Sequence, residues 1–349
     1  MKPAIWWLTW PAGLVLLGFA ALFLGATGAT WPDVWTSLGA DPEGQAAIIA
    51  RYRLPRVAAG ALVGLHFGLA GAILQVVLRN PLADPTIFGV SGGASMAVVL
   101  AMSAAIAVAP PSESINVATN YLPLAWLPPI ALSGALIATA VVIALAWDHR
   151  LGTISPTRMV LMGVVLGAIL NAAVMALVLS LSESRTELAI LWLSGSLYAR
   201  GFENLWPALP WTVAGVALTL ALMPSLSALR FDSQTAQSLG VRLKLAVPLS
   251  IAGAAALAAS AVAVAGPVGF VGLLAPHMAG WLGGVRLGER LWASAAIGAG
   301  LVVAADALGR IVIAPAEMPV GIVTSLIGAP VFAALLTRKY RRLHATVGE

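Results

Sequence analysis

The feature that most constrains this chain is where its charges are missing. No Asp, Glu, Lys or Arg falls between Lys2 and Asp33, and further charge-free intervals run Arg56–Arg79, Asp84–Glu113, Glu113–Asp148, Arg158–Glu183, Glu203–Arg230, Lys244–Arg286, Arg290–Asp306 and Glu317–Arg338. A helix needs about 20 apolar residues to cross a bilayer, and these intervals supply them. Lys244–Arg286 has room for two spans, with Gly266-Pro267 where a helix would break. Arg290–Asp306 is short, but the apolar stretch continues to Val312. The runs are continuous rather than alternating and rich in Ala and Leu, which excludes a strand barrel. The expectation is an all-α polytopic membrane protein with about ten transmembrane helices, forming one membrane domain over residues 1–349.

Composition agrees. Charged residues make up 9% of the chain and hydrophobic ones 60%, against about 25% charged in soluble domains. A soluble enzyme and a disordered chain are excluded. So is nucleic-acid binding: the net charge is only +5, and no basic run is long enough to track phosphates. With no cysteine there is no disulfide, thiolate metal site or cysteine nucleophile. The first apolar run opens with Trp6 and Trp7 and reads as a retained span rather than a cleaved signal.

Basic residues give an orientation. With both termini in the cytoplasm, Lys2, Arg79, Arg150, Arg158, Arg230, Arg242, Lys244, Arg286, Arg290 and the tail Arg338, Lys339, Arg341 and Arg342 lie inside. Most acids fall outside, and so, against the trend, do Arg53, Arg56 and Arg310. Loops are expected at about 27–53 and 109–122, and a short surface helix around Leu191-Trp192-Leu193. Gly60, Gly64, Gly68 and Gly71 share one helix face, and Gly163 and Gly167 repeat the small-residue spacing that brings helices together.

Sites for chemistry are few. There is no G-x-x-x-x-G-K-[ST] loop, so any ATP-driven step belongs to another polypeptide. The four histidines are scattered, without metal-ligand spacing. His66 lies mid-span, either hydrogen-bonded to a neighbouring helix or on a pathway. Asp306 and Arg310, four apart, form an ion pair or serve docking. Arg79-Asn80-Pro81-Leu82-Ala83-Asp84-Pro85 combines two prolines, an Asn and paired charges in a rigid turn.

These residues, together with Arg53-Leu54-Pro55-Arg56, Gly89-Val90-Ser91-Gly92-Gly93-Ala94, Ala236-Gln237-Ser238-Leu239-Gly240-Val241, Gly266-Pro267-Val268-Gly269-Phe270-Val271-Gly272-Leu273, Pro276-His277, Glu317-Met318-Pro319-Val320-Gly321 and Gly328-Ala329-Pro330-Val331-Phe332, resemble the FecCD-type permeases of ABC importers for iron–siderophore complexes, haem and vitamin B12. The chain departs from that pattern at Gly280, where an Arg is usual soon after Pro-His, and at Phe231–Gln237, where Gly-Glu-Asp-Thr-Ala-Arg is common.

The resemblance implies a type II importer permease with ten helices in the bacterial inner membrane, working as a dimer of permeases, here a homodimer. Two ATPase subunits carrying ATP and Mg bind on the cytoplasmic side, and a periplasmic substrate-binding protein docks outside. No cofactor, metal or catalytic residue belongs to this chain itself. Arg53, Arg56 and Arg310 would meet acids of the binding protein. The segment at about 226–242 would couple to the ATPase through Gln234, Ala236, Ser238, Leu239 and Gly240. Asn80, Leu82, Pro156 and Thr157 would form a cytoplasmic gate. His66, Asn171, Met175, Val323 and Ile327 are pathway positions. The substrate reading is a bulky iron chelate, haem or a ferric siderophore, with a single-length chain favouring haem slightly. Vitamin B12 import and an ion-driven carrier using Asp306 are the alternatives.

Overall fold

The computed structural model describes residues 6–24, 28–39, 41–108, 123–149, 152–181, 183–281, 286–314 and 316–347. The loop expected at about 109–122, Lys2, Arg150 and the side chains of Arg338, Lys339, Arg341 and Arg342 lie outside the described residues.

In chain order the helices are α1 (Trp6–Phe23), the short α2 (Trp31–Thr36) and α3 (Gly44–Ile48), α4 (Leu54–Val77), α5 (Val90–Val108), α6 (Leu127–Ala146), α7 (Pro156–Leu179), α8 (Glu183–Leu193), α9 (Leu209–Ala221), α10 (Met223–Leu229), α11 (Ser233–Ser238), α12 (Leu243–Ala265), α13 (Val271–Trp281), α14 (Leu287–Val312) and α15 (Val320–Val347). The only sheet among the described residues is the pair β1 (Trp147–Asp148) and β2 (Thr153–Ile154), antiparallel across the turn between α6 and α7.

Every expected span position holds a helix, but not all are equal. Gly44–Val77, Leu127–Ala146, Pro156–Leu179, Leu243–Ala265 and Leu287–Val312 are each long and apolar enough to cross a bilayer. α9 and α10 make a further span only as a pair bent by 62°. Gly13–Phe23, Val90–Ala105 and Val320–Ala334 are shorter apolar stretches. α13 has 11 residues, roughly 16 Å, about half a hydrocarbon core.

Local sequence explains the ends. Pro55, Pro128, Pro156, Pro210 and Pro224 sit in first turns, where a missing N–H costs nothing. α12 stops at Gly266, whose φ of +75° continues no right-handed helix; Pro267 follows, so the Gly-Pro break falls where the sequence puts it. α8 is the short helix expected around Leu191–Leu193, with Ala189 and Trp192 buried and Leu188, Ile190 and Leu191 exposed.

α4 is the hub. It packs on α14, α12, α13 and α1; α12 continues to α6, which packs on α5 and α7. Three of its four in-line glycines act as foreseen: a methyl at Gly64 would strike the Gly298 carbonyl, one at Gly68 the Ser294 carbonyl and one at Gly71 the Gly272 carbonyl. Backbones meet here, and small residues permit it. Gly60 meets only side chains, and Gly167 faces open space, so the second small-residue pair closes only at Gly163, against Ile87.

Candidate functional site

Two polar clusters mark opposite ends of α4, separated by roughly 36 Å of helix. At its N-terminal end a π-helical turn, Ile49–Arg53, leads into the span. Arg51 and Tyr52 point out, while Arg53 turns inward to 7% exposure and donates to the Leu22 carbonyl at 2.7 Å. One turn on, Arg56 makes a forked contact with Asp306, Nε to Oδ2 at 3.0 Å and Nη2 to Oδ1 at 2.8 Å, and reaches Glu317 Oε2 through Nη1 at 2.7 Å. Asp306 also pairs with Arg310 at 3.3 Å, one helical turn along α14. Arg310 donates to the carbonyls of Leu24, at 2.8 Å, and Ala21, at 3.3 Å.

The i,i+4 pairing of Asp306 with Arg310 is therefore present, and it extends into a network that ties the end of α1 to α4, α14 and the segment before α15. The three arginines expected to dock a binding protein are largely covered within the chain. Arg53 and Arg310 are 7% and 5% exposed, and Arg56 is 12% exposed against 34% for Glu317. Their guanidinium groups are taken up by carbonyls and carboxylates of the chain itself, because an unpaired cation at a helix end in lipid is too costly to leave bare. Glu317, which the sequence reading did not assign to this cluster, is its most accessible ionised group. Asp306 is shared between two guanidinium groups.

At the other end of α4, Arg79 adopts a left-handed conformation with φ of +49°. Its side chain does not pair with Asp84, as the sequence suggested. Nε donates to the Leu229 carbonyl at 3.1 Å and Nη2 to Ser233 Oγ at 3.2 Å, joining this turn to α10 and α11. Asn80 Oδ1 accepts from the Leu82 N–H at 3.0 Å, which closes the turn. Buried Asp84 accepts through Oδ1 from the Thr86 N–H at 2.8 Å and from the Thr86 hydroxyl, closing its own turn beside Gly272 at the start of α13. Gln75 Nε2 donates to the Leu273 carbonyl at 3.4 Å. The role of Arg79 depends on partners about 150 residues away in sequence, so only its presence in an unusual turn was visible beforehand.

Of the four gate positions, Asn80, Pro156 and Thr157 line one cleft of about 440 Å³ with Leu78, Val160 and Leu161. Leu82 is half-buried outside that lining.

The 226–242 segment folds as the end of α10, then α11, then a turn at Gly240 with φ of +85°. Asp232 caps α11: Oδ1 accepts from the Gln234 and Thr235 N–H groups, each at 2.9 Å, and Oδ2 from the Thr235 hydroxyl. These bonds, the Thr235 hydroxyl first, hold its carboxyl below the usual carboxylate value. Gln234, Ser238, Leu239 and Gly240 are exposed. Ala236 is fully buried: on a helix of six residues one face packs inward.

The pathway positions divide. His66 is buried, its Nε2 2.8 Å from Thr212 Oγ1 on α9, so it joins two helices. Val323 is buried beside Gly309. Asn171, Met175 and Ile327 are exposed on faces of α7 and α15 that the rest of the chain leaves uncovered. Among the described residues, no group of three or more His, Cys, Asp or Glu could hold a metal ion.

The chain is similar to known proteins. A profile described as the FecCD transport family matches residues 13–338. The Fe(3+)-citrate import system permease protein YfmE of Bacillus subtilis (strain 168) is 36% identical over 94% of this chain and 93% of its own. The Fe(3+) dicitrate transport system permease protein FecD of Escherichia coli (strain K12) is 34% identical over 94% of this chain and 95% of its own. Among solved structures, a metal-chelate type ABC transporter in an inward-facing conformation superposes with a TM-score of 0.77 at 26% identity, covering 95% of this chain and 97% of that one. The chain belongs to the FecCD transport family.

Proposed function

We propose that this chain is the membrane permease of an ATP-driven importer that moves a ferric chelate inward by alternating access. The observation that carries the reading is the match over nearly the full length of both chains to a metal-chelate type ABC transporter. The relatives named for Fe(3+)-citrate and iron(3+)-hydroxamate import move the substrate reading from haem toward iron held by oxygen ligands. ATP hydrolysis then belongs to a separate subunit, since this sequence has no phosphate-binding loop.

In this reading the α10–α11 end is cytoplasmic and seats the ATPase through Gln234, Ser238, Leu239 and Gly240. The bonds from Arg79 to Leu229 and Ser233 carry movement of that segment to the Asn80 turn, hence to the cleft shared with Pro156 and Thr157. The opposite end receives the binding protein. There Arg56, with Glu317 as its exchangeable partner, offers the reachable cation, and Arg53 and Arg310 hold the helix ends in place. Complementary charge at such a surface fixes register and speeds encounter. A second copy of the chain completes the pathway along α7 and α15.

The test is uptake in vesicles that contain the permease with its ATPase and binding protein. Ferric citrate, a ferric hydroxamate, haem and vitamin B12 are supplied in turn, with and without ATP inside. ATP-dependent accumulation of a ferric chelate is expected; accumulation unaffected by ATP would reject the reading.

A further inference from the structure

The 62° bend between α9 and α10 opens a cleft of about 650 Å³ against the first turns of α12. α9 runs beside α12, then turns at Leu222 and Met223, and α10 leaves its neighbour behind. The walls include Leu222, Phe231, Leu245 and Leu249, and Arg242 stands among the lining residues. Phe231 and Leu245 are each 56% exposed and Leu249 is 45% exposed, so the described chain leaves this apolar wall open.

The chemistry of the cleft changes with depth. Arg242 occupies the N-cap of α12, where the candidate span Leu243–Ala265 begins. Its guanidinium therefore lies at headgroup level, and Leu245 and Leu249 follow roughly 4.5 and 10 Å deeper. Arg242 is exposed and makes no ion pair among the described residues. A cation at a helix N-terminus opposes the helix dipole, so its place is not explained by stabilising α12. Arg230, also exposed, immediately precedes Phe231. A cationic rim over an apolar wall matches one amphiphile: an anionic head with a hydrocarbon tail.

We propose that this cleft binds one anionic phospholipid, its phosphate at Arg242 with Arg230 nearby, and an acyl chain laid along Leu245 and Leu249. The turn Leu239-Gly240-Val241 forms another wall, so the lipid braces the end of the 226–242 segment. Only that bracing rests on the ATPase-coupling reading; the lipid site itself does not.

Native mass spectrometry of the delipidated full-length permease, without any ATPase, tests the proposal. Dioleoylphosphatidylglycerol and dioleoylphosphatidylcholine are supplied in equal amounts. The expected result is one retained phosphatidylglycerol per chain, preferred about fivefold, as one basic residue at a membrane surface provides. Arg242→Gln abolishes the preference, Arg242→Lys keeps most of it, and Leu245→Trp fills the cleft and lowers retention of both lipids. Thermal unfolding verifies that each variant is folded, and the Arg242 pair decides the matter if Leu245→Trp is not. Equal retention of the two lipids by the unaltered chain, or a preference untouched in Arg242→Gln, overturns the proposal. In a separate measurement with the ATPase present, Ser238→Cys is crosslinked to it; selective lipid retention together with no such crosslink would leave the lipid site standing and remove the coupling reading.

Discussion

The side chain with the largest structural consequence is Asp306. It is 3% exposed and accepts from both Arg56 and Arg310. Removing one member of a buried ionic group leaves the others uncompensated, at a cost of about 3–5 kcal/mol. Asp306→Asn is therefore expected to lower the melting temperature of the purified permease by several degrees, measured by fluorescence-detected size exclusion. Glu317→Gln, at the exposed edge, should lower it far less. Equal melting temperatures for the two variants would show that Asp306 is not the centre of the cluster. Asp232 makes a pH-dependent case. Its carboxyl is held below 3.8, the usual value, so its cap on α11 is fully present above that value. The cap is lost as pH falls below 3.8 through the folded-state value. Amide exchange should show protection at residues 234–239 near neutrality that fades on acidification below this point. Asp232→Ala should show the same loss at neutral pH, and unchanged protection in that variant would contradict the capping role.

At the scale of elements, the α4–α14 crossing depends on absent side chains. Gly64 and Gly68 lie on the Gly298 and Ser294 carbonyls, and no rotamer relieves a clash between a Cβ and a backbone. Gly64→Ala must push the two helices apart, with an expected loss of about 1–3 kcal/mol of stability. Gly167→Ala, which meets open space, should be neutral. Comparing thermal unfolding of the two separates close approach from a general intolerance of alanine. The glycine spacing along α4 was legible in the sequence because helical periodicity puts Gly64, Gly68 and Gly71 on one face. Gly163 and Gly167 show the limit of that reasoning: the same spacing occurs, but an added methyl meets backbone only at Gly163.

For the whole molecule, the informative surface is the one left bare. Only 11% of the apolar window of α7 is buried, against 72% for α12, and Met175 is 62% exposed. A helix apolar on all sides needs lipid or protein around it, and the proposed second copy supplies protein along part of α7. Because the chain has no cysteine, Met175→Cys gives a clean test: oxidative crosslinking in membranes should produce a dimer, and a cysteine at Leu136, half-buried on α6, should not. Absence of the dimer at both positions would contradict a homodimer closed along α7.

The sequence by itself determined the helical membrane class, the order of the helices and the break at Gly266-Pro267, because hydrophobic length and backbone stereochemistry are local. It also marked the Arg79–Pro85 turn and the 226–242 segment as unusual. Tertiary structure alone decided which polar groups meet. Arg56 finds Asp306 across 250 residues, Arg79 finds Leu229 rather than Asp84, and His66 finds Thr212. In a chain with so few charges, a buried polar group takes its partner from whatever the fold brings near, and that proximity is a property of helix packing rather than of sequence spacing.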